Sequence, residues 1–529
     1  MSILNLVLCF CGRAIDYAAA TANFLYVGAV GSGKTVLIRL LLQSIWGIAT
    51  RHHVPTRMLV YDSKRELLPV LYGIFERLGR TDAAEKITLL NPFDTRGVAW
   101  DMAKDIRRAS HANELAAMLI PSAGGDGRFW SESAQAVVGQ IIQSFIQERR
   151  PWDLRDICCA VETVASIRAV VKRSARTRWV LDTFLNENEP KTTIGVMATI
   201  HAALRPFRDI AIQWQRAPRK ISLGEWLHSQ VDRVLVLGSA ETSATAVEAL
   251  NAILFKRLSQ MILEEEQELG QNDPRRIWII LDEFVRAGRL PGAVELATKG
   301  RSKGAAMVLG FQDVDGLRAV YGKEVAHEIL GQCSNIALLR MNSTETAEWA
   351  SDVVGEYRSR DRRHSTSSGT NISRDTSISN GQSEDEMITD RRAVLPSYFQ
   401  RIPPVSKGPG IGGVFLTPYW TEPGLEASQH LIESTWLFKA GNLWPLSAQI
   451  KGYEFRDVPE SAEDDSAEWL KPWDDADYDR LNVKRPPSEE KRDDDPNQQP
   501  QADHAAILKQ IFARLAAMEK RTNGNPSNS

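Results

Sequence analysis

The sequence lacks any apolar run long enough to cross a membrane. The apolar stretch nearest its start, Ile3 to Phe10, is far shorter than the roughly 20 residues that a spanning helix needs, and no basic segment precedes it. We therefore expect no transmembrane helix and no secretion signal. The expected location is the cytoplasm, or a peripheral position at the inner face of the cell membrane.

Cysteine is scarce, and motifs that read DNA bases are missing. The chain has 529 residues and 5 cysteines, whose spacings match neither a zinc site nor a disulfide framework. This usage is typical of a reducing cytosol. Any contact with DNA is expected to be independent of base sequence, because no base-reading motif is present. The cysteines are Cys9, Cys11, Cys158, Cys159 and Cys333.

Charge is unevenly distributed along the chain, although the net charge is only −3. Residues 457–495 hold 15 acidic and 6 basic residues, so the rest of the chain is mildly basic. This acidic, proline-containing composition predicts a disordered linker over 457–503. Residues 504–521 then show apolar positions at helical spacing. They predict an amphipathic helix that either docks a partner or packs back on the body.

The most informative stretch is Gly28-Ala-Val-Gly-Ser-Gly-Lys-Thr35. It follows a strand-like run and precedes an apolar helical segment, as a phosphate-binding loop does. Lys34 would reach the β- and γ-phosphates of ATP, and the Thr35 hydroxyl would ligate Mg²⁺. Backbone N–H groups and the helix N-terminus would hold the phosphates. The predicted nucleotide ligands are Gly28, Ala29, Val30, Gly31, Ser32, Gly33, Lys34 and Thr35.

A second nucleotide motif is an acidic pair at the end of the apolar run Ile277–Leu281. Asp282 is placed to hold Mg²⁺ opposite the phosphate loop, and Glu283 suits a general base for an attacking water. Gln312 directly follows another strand-like run, where an amide can position water or sense the γ-phosphate. Alone, a glutamine at such a position is more often a solvated loop residue.

Seven apolar, strand-like runs alternate with helix-length segments over most of the chain. This pattern predicts an α/β fold of the RecA-like P-loop type, with a mostly parallel sheet covered by helices on both faces. A further strand over 413–417 is expected at an edge. The seven runs are 23–27, 57–61, 87–90, 233–237, 277–281, 306–309 and 336–339.

The third and fourth runs are separated by a long stretch that contains only helical patterns. We therefore predict an all-α domain inserted into the α/β domain, and a flexible loop at 358–382, which is rich in Ser, Thr, Asn and Arg. The predicted parts are an N-terminal segment (1–22), the motor's first part (23–102), the inserted domain (103–215), the motor's second part (216–456), the linker (457–503) and the terminal helix (504–521).

Several blocks resemble the coupling ATPases of bacterial conjugation and type IV secretion, the TraD/TraG/TrwB family. The most specific are Leu281-Asp-Glu-Phe-Val-Arg-Ala-Gly-Arg-Leu290, Gly300-Arg-Ser-Lys-Gly304 and Gly310-Phe-Gln312. Tyr61-Asp-Ser-Lys-Arg-Glu66 is similar to a further block. The resemblance implies a hexameric ring that uses ATP to pass relaxase-bound DNA to a secretion channel, with Arg301 as an arginine finger in the neighbour's site.

Members of this family carry N-terminal membrane helices before the phosphate loop, and this sequence has almost no room for them. The expectation is either a protein that relies on a membrane partner or a truncated start. Two other functions stay open from the residues alone. One is a soluble DNA translocase of the wider FtsK/HerA superfamily, and the other is a recruitment module for secretion cargo that binds ATP with little turnover.

A basic run in the predicted helical domain is the clearest candidate for DNA contact. If residues 168–178 formed one helix, Arg168, Lys172 and Arg176 would share a face and offer a positive stripe to phosphates. The same run could be an ordinary solvated basic face. The candidate DNA-binding residues are Arg168, Lys172, Arg173, Arg176 and Arg178.

Overall fold

The computed structural model describes residues 6–240, 243–266, 268–269, 273–371, 377–405, 410–419, 431–436, 452–458 and 469–486. The predicted terminal helix over 504–521 lies outside these residues. Contacts within the chain group Met1–Lys484 into one compact unit, and a second unit begins at Arg485.

The described strands form a nine-stranded central sheet and three two-stranded sheets. They are β1 (Val7–Phe10), β2 (Arg13–Asp16), β3 (Asn23–Val27), β4 (Thr56–Tyr61), β5 (Ile87–Leu90), β6 (Ala99–Trp100), β7 (Lys220–Ile221), β8 (Arg233–Leu237), β9 (Arg276–Leu281), β10 (Ala305–Phe311), β11 (Cys333–Leu338), β12 (Glu356–Asn371), β13 (Ser377–Arg392), β14 (Ile411–Leu416) and β15 (Leu431–Trp436).

Helices connect most of these strands, and among the described residues no helix is both long and apolar enough to cross a membrane. They are α1 (Lys34–His52), α2 (Leu67–Arg77), α3 (Ala83–Lys86), α4 (Met102–Asp105), α5 (Ala109–Leu119), α6 (Arg128–Glu148), α7 (Leu154–Ala160), α8 (Val164–Val171), α9 (Ala175–Phe184), α10 (Pro190–Trp214), α11 (Leu223–Leu227), α12 (Ala244–Glu264), α13 (Ala293–Lys299), α14 (Val314–Tyr321), α15 (Lys323–Gly331), α16 (Thr344–Val354), α17 (Pro396–Arg401) and α18 (Asp475–Leu481).

The central sheet has the strand order β15-β14-β11-β3-β10-β9-β4-β8-β5. The seven strands from β11 to β5 are parallel, and β14 and β15 add antiparallel pairs at one end. The seven parallel strands are those expected from the apolar runs, so the predicted RecA-like fold class is confirmed. Because β10 lies between β3 and β9, the carboxyl ends of these three strands meet at one edge.

Alternate residues of the central strands face two different apolar cores. On β9, Trp278 and Ile280 pack in the core that contains α1 and α2, whereas Ile279 and Leu281 face the core on the other side. A strand that is buried on both faces must be apolar at every position, which explains the continuous hydrophobic runs.

Residues between β5 and β8 include the helices α4 to α10, and the predicted all-α insertion is confirmed. The parallel pair β6–β7 brings the two ends of the insertion together. Below it, the buried carboxylate of Asp105 accepts hydrogen bonds from the Trp100 indole and the Ser222 hydroxyl, both at 2.6 Å. The β6–β7 pair and Asp105 therefore hold the two connections between the insertion and the central sheet side by side.

The flexible loop predicted at 358–382 is wrong over most of its length. The structure pairs β12 with β13 in an antiparallel ribbon, and residues 372–376 lie outside the described part. The register sets Arg358 opposite Asp390, with their side chains 3.1 Å apart. The composition of the segment predicts a loop. Composition does not indicate which charged residues pair across two strands when they lie about 30 positions apart.

The linker predicted over 457–503 is also wrong for residues 469–484, which we call the strap. Residues 459–468 and 487–503 lie outside the described part. The strap lies on the helical insertion, where the Arg480 guanidinium donates to both oxygens of the buried Asp156 at 2.8 and 3.0 Å. Arg155 pairs with Asp477 at 2.7 Å. The composition of the segment predicts a solvated acidic chain. It does not indicate the ion pair, because the partner arginine on α7 is distant in sequence.

The Trp473 side chain is the apolar anchor of the strap. It is 7% exposed, contacts the Phe145 ring and donates its indole N–H to Asp156 at 2.9 Å. We expect Trp473→Ala to lower the free energy of unfolding by about 3 kcal/mol, since it deletes a buried aromatic ring and one of the hydrogen bonds to the buried Asp156.

Denaturant titration of the purified variant measures this loss. Trp469→Ala is the matched control, because that side chain is 68% exposed and its removal should change stability by less than about 0.5 kcal/mol. Equal stability of the two variants would show that the strap does not anchor the insertion.

Candidate nucleotide-binding site

The loop between β3 and α1 has the backbone geometry of a phosphate cradle. Gly31 and Gly33 have backbone φ values of +75° and +95°, which residues other than glycine rarely adopt. A Cβ on Gly33 would also lie 2.6 Å from Ile411 Cδ1. The residues after this turn begin α1 at Lys34, so the free N–H groups of the helix face the loop.

Lys34 and Glu283 lie together inside the site. The Lys34 ammonium is 3.3 Å from Glu283 Oε1 and 3.5 Å from the Gly28 carbonyl oxygen. A second ammonium, from Lys64, donates to the same Glu283 oxygen. The acidic residue at the end of β9 is therefore held by two lysines in the described structure.

Asp282 lies next to the start of α1, as a magnesium ligand should. The Thr35 hydroxyl donates to Asp282 Oδ2 at 3.0 Å. Asp282 Oδ1 is buried without a hydrogen-bond partner among the described residues, and the same holds for Ser32 Oγ in the phosphate loop. Buried polar atoms without partners are costly, so these two oxygens fit a site completed by a cation and a phosphate chain.

Burial and the charges of the site together shift the pKa values of its titrating groups, in different directions. Burial raises the pKa of the Asp282 carboxyl, and the nearby Lys64 and Lys34 only partly offset this. Burial would also raise the pKa of Glu283, but Lys34 and Lys64 hold it below its usual range. Burial lowers the pKa of Lys34, against the effect of the two carboxylates. A divalent cation beside Asp282 would favour its ionised form.

Two segments that the sequence did not single out hold the phosphate loop. The Ala29 N–H donates to the Arg340 carbonyl oxygen at 2.8 Å, and the Val405 N–H donates to the Gly31 carbonyl oxygen at 3.1 Å. The Arg340 guanidinium in turn donates to the Val30 carbonyl oxygen at 3.1 Å. These contacts span more than 300 residues of sequence, and no local pattern indicates them.

Gln312 and Arg301 lie at opposite ends of β10. Gln312 is half-buried and follows the carboxyl end of the strand, beside the phosphate loop and the acidic pair. Arg301 is exposed in a short 3-10 helix, Gly300–Lys303, before the amino end. A strand of seven residues spans about 23 Å. The Arg301 side chain is therefore too far away to enter the site of its own chain.

The basic run does not form the single helix that was expected. Helix α8 ends at Val171, and the Ser174 hydroxyl caps α9 by accepting from the Arg176 N–H at 3.2 Å. The predicted continuous stripe is therefore wrong, because a serine cap breaks the helix inside the run.

The five basic side chains of that run fall into two groups. Arg168 pairs with Glu187 at 2.6 Å, and Arg173 donates to the strap carbonyls of Leu481 and Asn482 at 2.9 and 2.6 Å. The other three basic residues are exposed, namely Lys172, Arg176 and Arg178.

No role for Lys64 was predicted from the sequence, although it lies in the block Tyr61–Glu66 that resembles the coupling ATPases. The signal in the sequence is its position shortly after β4, which ends at Tyr61, because the carboxyl ends of neighbouring parallel strands meet at one edge. The contact with Glu283 joins residues 219 positions apart.

A phosphate loop after β3 of a RecA-like sheet faces an acidic pair after β9, and β10 lies between these two strands. This is the arrangement of the P-loop nucleoside triphosphatases. Within that class, residues 8–408 match the family model described as the type IV secretion-system coupling protein DNA-binding domain. The chain belongs to this family of coupling proteins.

Individual relatives agree with this assignment. The coupling protein TraD of Escherichia coli (strain K12) is 24% identical over 348 residues, which cover 63% of this chain and 44% of TraD. The chain thus matches less than half of the length of that relative. Unbound TrwBdeltaN70, a bacterial conjugative coupling protein, has a similar fold with a TM-score of 0.58 at 19% identity, over 78% of this chain and 85% of that chain.

A further solved structure carries a nucleotide analogue. Plasmid coupling protein TrwB in complex with the non-hydrolysable ATP analogue ADPNP has a TM-score of 0.57 at 18% identity, over 81% of this chain and 92% of that chain. TrwB has also been solved with ADP and Mg²⁺, at a TM-score of 0.56 and 18% identity, over 78% of this chain and 85% of that chain. At these identities the likeness concerns the fold.

Proposed function

We propose that this chain is the ATP-driven coupling ATPase of a conjugative or type IV secretion system, and that it brings relaxase-bound DNA to the transfer channel. The observation that carries the proposal is one site in which Lys34, Asp282 and Glu283 meet, in a chain of the coupling protein family. The names of TraD and TrwB, both coupling proteins, support the same function.

ATP and Mg²⁺ are the proposed ligands of the site. The residues from Gly28 to Thr35 would hold the phosphates through backbone N–H groups, and Lys34 would turn from Glu283 towards the β- and γ-phosphates. Thr35 and Asp282 would hold Mg²⁺, which neutralises charge that develops on the phosphate oxygens. The TrwB complexes with an ATP analogue and with ADP and Mg²⁺ support this ligand set.

Glu283 is the proposed general base of hydrolysis. Its carboxylate is 3% exposed and lies one residue beyond the proposed magnesium ligand, where it can accept a proton from an attacking water. Gln312 lies at the same edge of the sheet and would help to orient that water. Both roles use side chains that protrude from the carboxyl ends of parallel strands, the usual place for ligands in such folds.

The proposed assembly is a homo-oligomeric ring of six subunits, the number that the family resemblance implies, and the position of Arg301 supports a ring. This arginine lies at the far end of β10 from its own site and is exposed. An arginine finger stabilises transition-state charge on the γ-phosphate when a neighbour supplies it. The proposed ring therefore sets Arg301 of one subunit into the site of the next.

The motor in this proposal consists of residues 23–102 and 216–456, and the insertion at 103–215 contacts the transported DNA. Relaxase proteins, the channel and a membrane partner are the proposed further partners. DNA is bound without sequence preference, through phosphates. Lys172, Arg176 and Arg178 are the proposed contacts, since their charges are exposed, while Arg168 and Arg173 pair within the chain.

Changing Lys172, Arg176 and Arg178 together to Glu should weaken DNA binding at least about tenfold at low salt. Each lost phosphate contact should also lower the slope of log affinity against log salt by about 0.7 to 0.9. Fluorescence anisotropy with labelled DNA over a salt series measures both quantities. Lys323→Glu, at an exposed lysine of α15, is the charge-reversal control. An unchanged slope in the triple variant would place the DNA site elsewhere.

DNA-stimulated ATP hydrolysis tests the proposed function. The purified chain should hydrolyse ATP, and adding DNA should raise the rate, with Lys34→Ala inactive under both conditions. Single-stranded and double-stranded DNA are compared in the same assay. A rate of ATP hydrolysis that neither kind of DNA changes would contradict the proposed role in DNA transfer. The absence of any hydrolysis would contradict the proposed ATPase activity.

A further inference from the structure

We propose that Lys64 is a positioning residue for hydrolysis, which holds the Glu283 carboxylate in the orientation that the reaction needs. This inference rests on the proposed ATPase function. Lys64 and Lys34 both contact Oε1 of Glu283, and neither of these contacts uses Oε2. Fixing one oxygen of a carboxylate fixes the plane of the group, and leaves the second oxygen to accept a proton.

Lys64 is the cation that stays with Glu283 during the reaction. Lys34 belongs to the phosphate loop and is expected to turn towards the phosphates of bound ATP. Lys64 comes from a different element, the connection between β4 and α2, and the phosphate loop does not carry it. When Lys34 leaves, the ion pair with Lys64 is what holds the carboxylate of Glu283.

The backbone that carries Lys64 is rigidly held on its inner side. The Asp62 carboxylate is 1% exposed and accepts three backbone N–H groups, from Glu66 at 3.0 Å and from Leu67 and Leu68 at 2.9 Å. The Ser239 hydroxyl, after β8, donates to the Ser63 carbonyl oxygen at 3.2 Å. A positioning role for Lys64 requires a rigid backbone, because a mobile loop could not set the orientation of the Glu283 carboxylate.

The outer side of the same loop is clamped by the segment 452–458. Arg65 has a φ of +60° and donates to both oxygens of Asp457, at 2.6 and 3.0 Å. Its guanidinium also lies 4.9 Å from the centre of the Phe455 ring. This bidentate contact fixes the residue next to Lys64, so the ammonium reaches Glu283 from a loop held on both sides.

The test is the ATPase activity of Lys64→Met, which keeps the length of the side chain and removes its charge. General base catalysis contributes about 100-fold to 10,000-fold, and a misoriented base loses part of it. We expect kcat to fall at least about tenfold while KM for ATP changes less than about twofold. Lys64→Arg should recover part of the lost kcat. Lys104→Met, in the insertion, removes an ion pair with Glu225 and should leave kcat unchanged.

A double variant separates positioning from a general effect on the structure. If Lys64 acts through Glu283, then adding Lys64→Met to Glu283→Gln should cause no further loss of kcat. Multiplicative losses in the double variant would overturn the inference, as would an unchanged or raised kcat in Lys64→Met alone. If Lys34→Ala and Glu283→Gln themselves turned over like the wild type, the proposed ATPase would fail instead.

Discussion

Glu283→Gln is expected to bind ATP normally and to hydrolyse it at least about 100-fold more slowly than the wild type. The amide keeps the shape of the side chain, and its oxygen can still accept from Lys64, so the site should stay folded. The lost property is the ability to take a proton from water. Single-turnover hydrolysis measures the chemical step, and a labelled ATP analogue measures binding.

Glu295→Gln is the matched control, since that carboxylate is exposed on α13. The control should hydrolyse ATP like the wild type. If Glu283→Gln kept a rate within about twofold of the wild type, the base would be another residue, because removal of a true general base costs far more.

Arg301→Ala is expected to bind ATP, to assemble, and to lose at least about 100-fold in hydrolysis. The guanidinium stays charged and can donate to two phosphate oxygens at once, which an alanine cannot replace. Because Arg301 lies a full strand length from the site of its own chain, its loss should act on the neighbouring subunit. Mixing two inactive variants tests that prediction.

Arg301→Ala and Lys34→Ala should restore activity when they are combined. The first variant has an intact phosphate loop and the second an intact arginine, so about one interface in four becomes complete on random mixing. Size-exclusion chromatography and cross-linking verify that mixed rings form. The absence of recovery in verified mixed rings would mean that Arg301 acts within its own chain or only structurally.

The fold was largely predictable because the parallel sheet imposes a simple pattern on the sequence. Strands buried on both faces are mostly apolar, so β9 is hydrophobic without a break from Ile277 to Leu281. The phosphate loop was predictable for a similar reason. A glycine turn, a lysine and a hydroxyl side chain at fixed spacing between a strand and a helix seldom occur together except in a phosphate-binding loop.

The contacts that were missed all join residues far apart in the sequence. Lys64 meets Glu283 only because β4 and β9 are neighbours in the sheet. The acidic composition of the strap predicts a solvated chain, whereas Asp477 is paired with Arg155 on α7. Arg480 likewise forms an ion pair with the buried Asp156. The composition of a segment indicates how well it is solvated on average. It does not indicate ion-pair partners that are distant in the sequence.

The break in the basic run has a local cause in the sequence. Ser174 lies two residues before Arg176, and serine is a preferred helix N-cap. The hydroxyl accepts the Arg176 N–H at 3.2 Å, and α9 begins there as a separate helix. The exposed charges of Lys172, Arg176 and Arg178 remain a prediction for DNA contact.

Movement along DNA is the central claim, and displacement of streptavidin from end-biotinylated DNA measures it most directly. The wild type with ATP should displace streptavidin at a rate that follows ATP hydrolysis. It should not do so with a non-hydrolysable analogue, and neither should Glu283→Gln with ATP. Displacement that proceeds equally with the analogue, or that is absent although DNA stimulates hydrolysis, would contradict an ATP-driven motor that moves DNA.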